Sequence, residues 1–90
     1  MDIQFSINAW AEYVEWQQKD KKTIKRINEL LKDIVRKNPF DGIWKPESLK
    51  DNLSGFWSRR IDDQNRLVYR IDEEHDICQV VQCRGHYDKG

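Results

Sequence analysis

The residue types with the greatest chemical potential lie in one stretch, from position 45 to position 70. It contains a carboxylate at Glu47, a lysine at Lys50 and four arginines, among them Arg60 and Arg66. A carboxylate can accept a proton, and the guanidinium group of arginine is suited to bidentate contact with phosphate. This combination is what a protein needs to hold and cleave a phosphodiester.

Cleavage of RNA without a metal ion requires three groups. A base takes the proton of the 2′-hydroxyl, cations stabilise the charge that grows on the phosphorus oxygens, and an acid protonates the leaving 5′-oxygen. Glu47 is the candidate base, and His86 is the candidate acid because histidine titrates near neutral pH. The candidate phosphate ligands are Lys50, Arg60 and Arg66, and Tyr87 could stack on a base or hydrogen-bond the phosphate.

Each candidate also has a simpler interpretation. Glu47 follows a proline in a predicted loop and could face water, and His86 near the C-terminus could simply be exposed. Arg59 and Arg60 point to opposite faces of a predicted strand, so at most one of them belongs to a site. His75 lies in an acidic hairpin and is predicted to be solvent-exposed. Spacing alone supports only a small α+β domain with a basic face.

The first elements are predicted from hydrophobic spacing. Residues 2–5 alternate polar and apolar types, as a half-buried strand does. Ser6 then offers a cap for a helix that should end near Lys19. Trp10 and Tyr13 recur at helical spacing in this helix, and we expect this aromatic stripe to belong to the core.

The second helix carries the strongest periodic signal. Asp20 is its predicted cap, apolar residues recur at spacings of three and four from Ile24 to Val35, and Asn38-Pro39 should stop it. Its other face is basic and is either a solvated surface or a surface that meets a large polyanion. The basic residues on that face are Lys22, Lys25, Arg26, Lys32 and Arg36.

The remaining chain is predicted to be strands and connections. Residues 45–56 form an irregular connection, and strands are expected at 57–62, 66–71 and 77–83. The order β-α-α-β-β-β predicts an α+β domain in which two helices pack on one face of an antiparallel sheet. We expect residues 1–90 to form a single domain.

Composition and charge limit the class of protein. Charged residues make up 36% and aromatic residues 11%, too much aromatic content for a disordered chain. The net charge is zero, but residues 19–37 contain eight basic and three acidic side chains, which can present a local positive face. No apolar run approaches the ~18 residues of a membrane span, and no apolar signal region begins the chain, so the cytoplasm is the expected compartment.

The two cysteines are expected to be reduced packing residues. Cys78 and Cys83 are five positions apart in a predicted strand, which would place them on opposite faces and prevent a bond between them. The sequence has no CxxC and no His/Cys cluster with zinc spacing, so neither a metal nor another cofactor is predicted.

The order of the motifs resembles the YoeB/Txe toxins of the RelE superfamily. The similarity lies in KPESLK at 45–50, LSGFWSRRI at 53–61, RLVY at 66–69 and CRGHY at 83–87. It implies a microbial-ribonuclease-like, RelE-like fold and a toxin of a type II toxin–antitoxin pair. Such toxins cleave mRNA in the ribosomal A site without a metal ion and so inhibit translation.

The resemblance also implies roles and partners. A YefM/Axe-like antitoxin with a disordered C-terminal segment would cover the site, the toxin would form a homodimer, and operator DNA would be bound only through the antitoxin. No membrane partner is implied. The family's general base falls on Glu47, its general acid on His86, its phosphate-contacting arginine on Arg66, its supporting cations on Lys50 and Arg60, and its C-terminal tyrosine on Tyr87.

Two other functions remain open at this point. A toxin of the ParE type on the same fold would inhibit DNA gyrase without being a nuclease. The set of Glu47, His86 and Tyr87 argues against it, since a gyrase inhibitor needs no acid–base pair. A binding protein that acts only as a transcriptional co-repressor with its antitoxin is the third possibility.

Overall fold

A computed structural model describes residues 1–36 and 38–86, which form two helices and five strands. A short 3₁₀ turn, Asp51–Leu53, lies between the second and third strands. In chain order the elements are β1 (Asp2–Phe5), α1 (Ile7–Lys19), α2 (Lys21–Arg36), β2 (Glu47–Ser48), β3 (Trp57–Arg60), β4 (Arg66–Asp72) and β5 (Ile77–Gln82). The predicted class, two helices on one face of a sheet, is confirmed.

The sheet differs from the prediction in two respects. Its strand order is β1-β5-β4-β3-β2, and β1 runs parallel to β5, so the sheet is mixed and not purely antiparallel. Residue alternation reveals a strand but neither its partner nor its direction. The second difference is β2, which lies within the predicted irregular connection; two residues after a proline are too few to show alternation.

Both predicted helix caps are confirmed. The Ser6 hydroxyl accepts a hydrogen bond from the Ala9 N–H at 3.1 Å. The Asp20 carboxylate accepts bonds from the N–H of Lys22 and from both the N–H and the hydroxyl of Thr23. The bonds from Thr23 lower the pKa of Asp20, because they stabilise its ionised form.

The core lies between the helices and the face of the sheet that they cover. Ile27, Leu30 and Ile34 of α2 meet Leu67 and Tyr69 of the sheet, and all five are fully buried. Burial of this apolar surface is the main term that holds such a domain together. Within residues 1–36 and 38–86, no helix is both long and apolar enough to cross a bilayer.

The aromatic stripe of α1 is only partly in the core. Tyr13 is half-buried and donates a hydrogen bond to Asn28 at 2.6 Å. Trp10, which was predicted to be core, is 49% exposed; its ring meets Phe5 edge to face and stacks on Tyr13. Helical spacing gives the direction of a side chain, but it does not show whether another element covers that side chain.

The two cysteines are free thiols in the same buried cluster. The prediction that they lie on opposite faces of a strand is wrong because the pairing of β5 with β4 is irregular at Val81. Val80 pairs with Tyr69 and Gln82 with Val68, so the extra residue reverses the alternation before Cys83. Burial raises the pKa of each thiol to about 12. Both side chains are therefore protonated at neutral pH and behave as small apolar groups.

Candidate functional site: the open face of the sheet

Strand β3 places its two arginines on opposite faces of the sheet, as predicted. Arg59 is fully buried on the helix-covered face. Its guanidinium group forms an ion pair with Asp33 of α2 at 2.6 Å and donates to the Tyr69 hydroxyl at 3.1 Å. It also donates to four backbone carbonyls of the connection that follows α2, those of Asn38, Pro39, Asp41 and Ile43.

This network gives Arg59 a structural role. The connection after α2 has little regular structure, and its carbonyls need donors where they are buried. Arg59 supplies them and Asp33 balances its charge, while Tyr69 donates a further hydrogen bond to the Pro39 carbonyl at 2.6 Å. Desolvation on burial raises the pKa of Tyr69, so its hydroxyl stays protonated as a donor. The chain that leads to β2 is thereby fixed to the sheet.

The opposite face is open and carries Glu47. This residue was predicted to lie on a loop, but it belongs to β2 and pairs with Ser58 of β3. Directly opposite residues of an antiparallel pair project to the same face, so Glu47 and Ser58 share the open side with Arg66 of β4. The Glu47 Oε1 and Arg66 Nη1 atoms are 3.9 Å apart, and Arg66 Nη1 donates to the Ser58 hydroxyl at 3.5 Å.

The exposure of these side chains suits a site that meets a ligand. The Glu47 side chain is 49% exposed and that of Arg66 is 22% exposed, so the guanidinium group is more covered by the protein than the carboxylate. Below them Ser58 and Val68 are buried, although neither belongs to the core cluster on the other face. On the open face, a carboxylate and a cation therefore lie above buried residues of the sheet.

Backbone contacts bring the C-terminal segment to the same place. The Gly85 carbonyl accepts hydrogen bonds from the Arg66 N–H and from the Gln82 side chain, both at 3.0 Å. The Gly85 N–H donates to Asn65 at 2.8 Å. Gly85 has a φ of +77°, a conformation that favours glycine, and it turns the chain past the start of β4. His86 follows directly and is exposed; Tyr87 lies outside the described residues.

The two predicted supporting cations, Arg60 and Lys50, lie on different elements. Arg60 is the cross-strand partner of Arg66 and forms an exposed ion pair with Asp63. Lys50 is exposed and immediately precedes the 3₁₀ turn. His75 is exposed, as predicted, and contacts Asp72 in the β4–β5 turn at 2.9 Å.

Ser58 is a residue of the candidate site that the sequence did not predict. Ser58 accepts the hydrogen bond from Arg66 and lies beneath the Glu47–Arg66 pair. A serine inside a strand carries no signal of its own, but its position two residues before Arg60 places it on the same face. Among the described residues, no group of three or more His, Cys, Asp or Glu side chains is arranged to hold a metal ion.

The sequence as a whole matches a known protein family. A family model for YoeB-like toxins of bacterial type II toxin–antitoxin systems matches residues 5–87. The chain belongs to this family. The toxin YoeB of Streptomyces coelicolor is 51% identical over 97% of the chain and all of the relative, and that of Escherichia coli K12 is 49% identical over the same shares. The resemblance noted from the motifs is confirmed.

Solved structures agree with the YoeB-like assignment. A YoeB/ParE toxin from Agrobacterium tumefaciens superposes with a TM-score of 0.92 at 39% identity, covering 97% of this chain and all of that one. The toxin chain of a Staphylococcus aureus YoeB–YefM complex gives a TM-score of 0.88 at 46% identity, with 97% and 98% covered. Escherichia coli YafQ, at 16% identity and a TM-score of 0.74 with 94% and 92% covered, shares the fold.

Proposed function

We propose that this YoeB-like toxin is a ribosome-dependent endoribonuclease that cleaves mRNA in the A site and so inhibits translation. The observation that carries the proposal is the Glu47–Arg66 pair on the open face, 3.9 Å apart, with the C-terminal segment bonded to the backbone of Arg66. A carboxylate beside a cation, with an imidazole one residue beyond that backbone bond, provides a base, a phosphate ligand and an acid. The site of action would be the cytoplasmic ribosome.

The first step is proton abstraction by Glu47. Its ionised carboxylate accepts the proton of the 2′-hydroxyl, and the resulting 2′-oxygen attacks the adjacent phosphorus. Half of the side chain is open to solvent, so a nucleotide can approach it from the open face. A positioned base of this kind contributes about 10²–10⁴-fold to the rate.

The cations act as the phosphorane forms. Arg66 offers N–H donors to the non-bridging oxygens, and its hydrogen bond to Ser58 restricts its orientation before substrate arrives. Arg60, its cross-strand partner, and Lys50 would add positive charge on either side. Tyr87 would hold the flanking base or the phosphate, as the family pattern implies.

The last step is protonation of the leaving group. His86 in its imidazolium form donates a proton to the 5′-oxygen as the bond from phosphorus to that oxygen breaks. The products are a 2′,3′-cyclic phosphate on one fragment and a 5′-hydroxyl on the other. Neither a metal ion nor another cofactor takes part in these proposed reaction steps.

The test is to map cut sites and end chemistry on mRNA bound to ribosomes. Glu47→Ala and His86→Ala should be folded, non-toxic and unable to cut, and the unaltered protein should leave 2′,3′-cyclic phosphate ends. The chain offers matched controls in the exposed β4–β5 turn, Glu73→Ala and His75→Ala, which should cut normally. Undiminished cleavage by both site variants would defeat the proposal.

The partners follow from the relatives. Staphylococcus aureus YoeB has been solved in complex with YefM and also as a dimer. We expect this chain to bind a YefM/Axe-like antitoxin, to form a homodimer and to reach operator DNA only through the antitoxin. Co-expression with the cognate antitoxin should abolish toxicity, and size-exclusion chromatography with light scattering should give twice the mass of the chain.

A second candidate is inhibition of DNA gyrase. The specific observation is the similarity to the Agrobacterium tumefaciens protein described as a YoeB/ParE toxin. A supercoiling assay with purified protein separates the two functions. Inhibition of gyrase together with intact ribosome-bound mRNA would favour this candidate, whereas cut mRNA and unaffected supercoiling would exclude it.

A further inference from the structure

A second concave surface begins beside the candidate site and runs toward the start of α2. It consists of two depressions of about 380 and 320 Å³ that share Arg26, Ile61 and Asp62. The larger one lies along the first turns of α2, with Lys22 and Lys25. The smaller one is bordered by Trp44, Lys45 and Arg60. We call the two together the Trp44 groove.

The centre of this groove is a stacked pair of flat groups. The guanidinium carbon of Arg26 lies 3.5 Å from the centroid of the Trp44 ring, and Arg26 Nη1 donates to the Ile61 carbonyl at 3.1 Å. Trp44 nevertheless remains 42% exposed. An indole in contact with a guanidinium plane offers a surface on which a nucleobase can stack.

The backbone holds Trp44 in place at a conformational cost. Trp44 and Lys45 are consecutive non-glycine residues with φ of +63° and +52°. Such conformations are unfavourable for side chains with a Cβ atom and persist only where surrounding contacts enforce them. Here the Arg60 N–H donates to the Trp44 carbonyl at 3.1 Å, which fixes the Trp44 backbone beside β3.

The charge of the groove favours a polyanion. Five cations border it against three acids, and one of those acids, Asp63, is already paired with Arg60. Asp62 is likewise occupied, because it accepts hydrogen bonds from the backbone of Gln64 and Asn65. Lys22, Lys25 and Lys45 are exposed on the border of the groove, where they can meet phosphates.

The position of the groove indicates which polyanion it would bind. Arg60 borders the groove and is the cross-strand partner of Arg66, so the groove starts one strand away from the candidate scissile phosphate. We propose that the Trp44 groove binds the single-stranded flank of the RNA substrate, with a base stacked on Trp44 and neighbouring phosphates on the lysines. This inference rests on the proposed ribonuclease function and extends it beyond the reacting groups.

The test measures binding without cleavage. The probe is a fluorescent 2′-O-methyl oligoribonucleotide of about ten nucleotides, within the range that single-strand binding sites cover. Its affinity for the complete protein is measured by fluorescence anisotropy as a function of salt. Trp44→Ala should weaken binding about tenfold, since stacking on an aromatic ring has that order of effect per base, and Trp44→Phe should restore part of the loss.

The lysines provide a matched charge comparison on one helix. Lys25 borders the groove, whereas Lys21 is exposed in the first turn of α2 and does not. Lys25→Gln should reduce the slope of log affinity against log salt by about 0.7, as expected for one lost phosphate contact on a single strand. Lys21→Gln should leave both affinity and slope unchanged.

The outcomes separate this inference from the function on which it rests. Normal binding by Trp44→Ala and Lys25→Gln, with loss of cleavage in Glu47→Ala, would refute RNA binding by the groove. The same result would support the proposed nuclease function. Binding of an acidic peptide in place of the oligonucleotide would also overturn it. If Trp44→Ala had an effect only in the presence of ribosomes, the groove would be assigned to ribosomal RNA. That result would contradict binding of the substrate's single-stranded flank.

Discussion

Arg59 and Arg60 are neighbours in the sequence, yet their side chains differ in burial and in hydrogen-bond partners. The Arg59 side chain is fully buried and donates to a carboxylate, a phenol and four carbonyls. The Arg60 side chain is 43% exposed, and the described ion pair that it makes is with an exposed aspartate in the adjoining turn. One arginine organises the fold, and the other is available to a ligand.

The two faces of the sheet show the same contrast. On the helix-covered face Arg59 donates to Asp33 and Tyr69, and in the described part of the chain no buried side-chain nitrogen or oxygen lacks a hydrogen bond. On the open face Glu47 and Arg66 are about half and one-fifth exposed and are held only 3.9 Å apart. Substitutions on the first face should therefore change stability, and substitutions on the second should change activity.

The largest effect on stability is expected from Asp33→Asn. It would leave the Arg59 guanidinium charged and buried without its carboxylate, a change that costs about 3–5 kcal/mol. In a domain of this size that corresponds to a melting temperature about 15–30 °C lower, measured by circular dichroism or calorimetry.

Glu29 supplies the matched control for this prediction. It is an exposed carboxylate on the same helix, about one turn earlier, and Glu29→Gln should change the free energy of unfolding by no more than about 0.5 kcal/mol. If Asp33→Asn were no more destabilising than Glu29→Gln, the structural role given to Arg59 would be wrong.

A smaller loss of stability is expected from Gly42→Ala. Gly42 has a φ of +129°, and a Cβ atom at this position would collide with the Asp33 carboxylate that Arg59 holds in place. Backbone strain and displacement of that carboxylate should together cost about 1–3 kcal/mol. Gly55→Ala is the comparison, because Gly55 also has a positive φ, of +92°, but has open space around it. Equal losses for both would show that the Asp33 contact contributes nothing.

The sequence predicted most of the architecture because helix caps and apolar periodicity are local signals. Ser6, Asp20 and the apolar face of α2 were sufficient to place both helices. The parallel pairing of β1 with β5 was not predictable, since two strands 75 residues apart leave no joint pattern. The two residues of β2 were also too few to show the alternation that indicates a strand.

The candidate site was predictable only in part, from the alternation of side chains along a strand. Alternation separated Arg59 from Arg60 without any knowledge of the fold. It could not identify Asp33 as the partner of Arg59, because that contact joins a helix to a strand 26 residues later. It also missed Ser58 and the stacking of Arg26 on Trp44, both of which depend on how distant segments meet.

On the open face, Arg60→Gln should have little effect on stability. Its ion pair with Asp63 is exposed and contributes at most about 1 kcal/mol, so the melting temperature should fall by no more than about 8 °C. Affinity for non-cleavable RNA should fall severalfold at low salt, and the difference should diminish as salt is added. A loss of stability equal to that of Asp33→Asn would contradict the division between the two faces.

The most direct test of the account is the single-turnover rate of mRNA cleavage on ribosomes by Arg66→Gln, measured together with its melting temperature. Arg70→Gln is the control, because Arg70 is another arginine of β4 and is exposed beside Gln79. We expect Arg66→Gln to cleave about 10²–10³-fold more slowly, with a melting temperature within a few degrees of the unaltered protein, and Arg70→Gln to cleave at least ten times faster than Arg66→Gln. Cleavage by Arg66→Gln at the unaltered rate, or a loss of rate fully explained by unfolding, would contradict it.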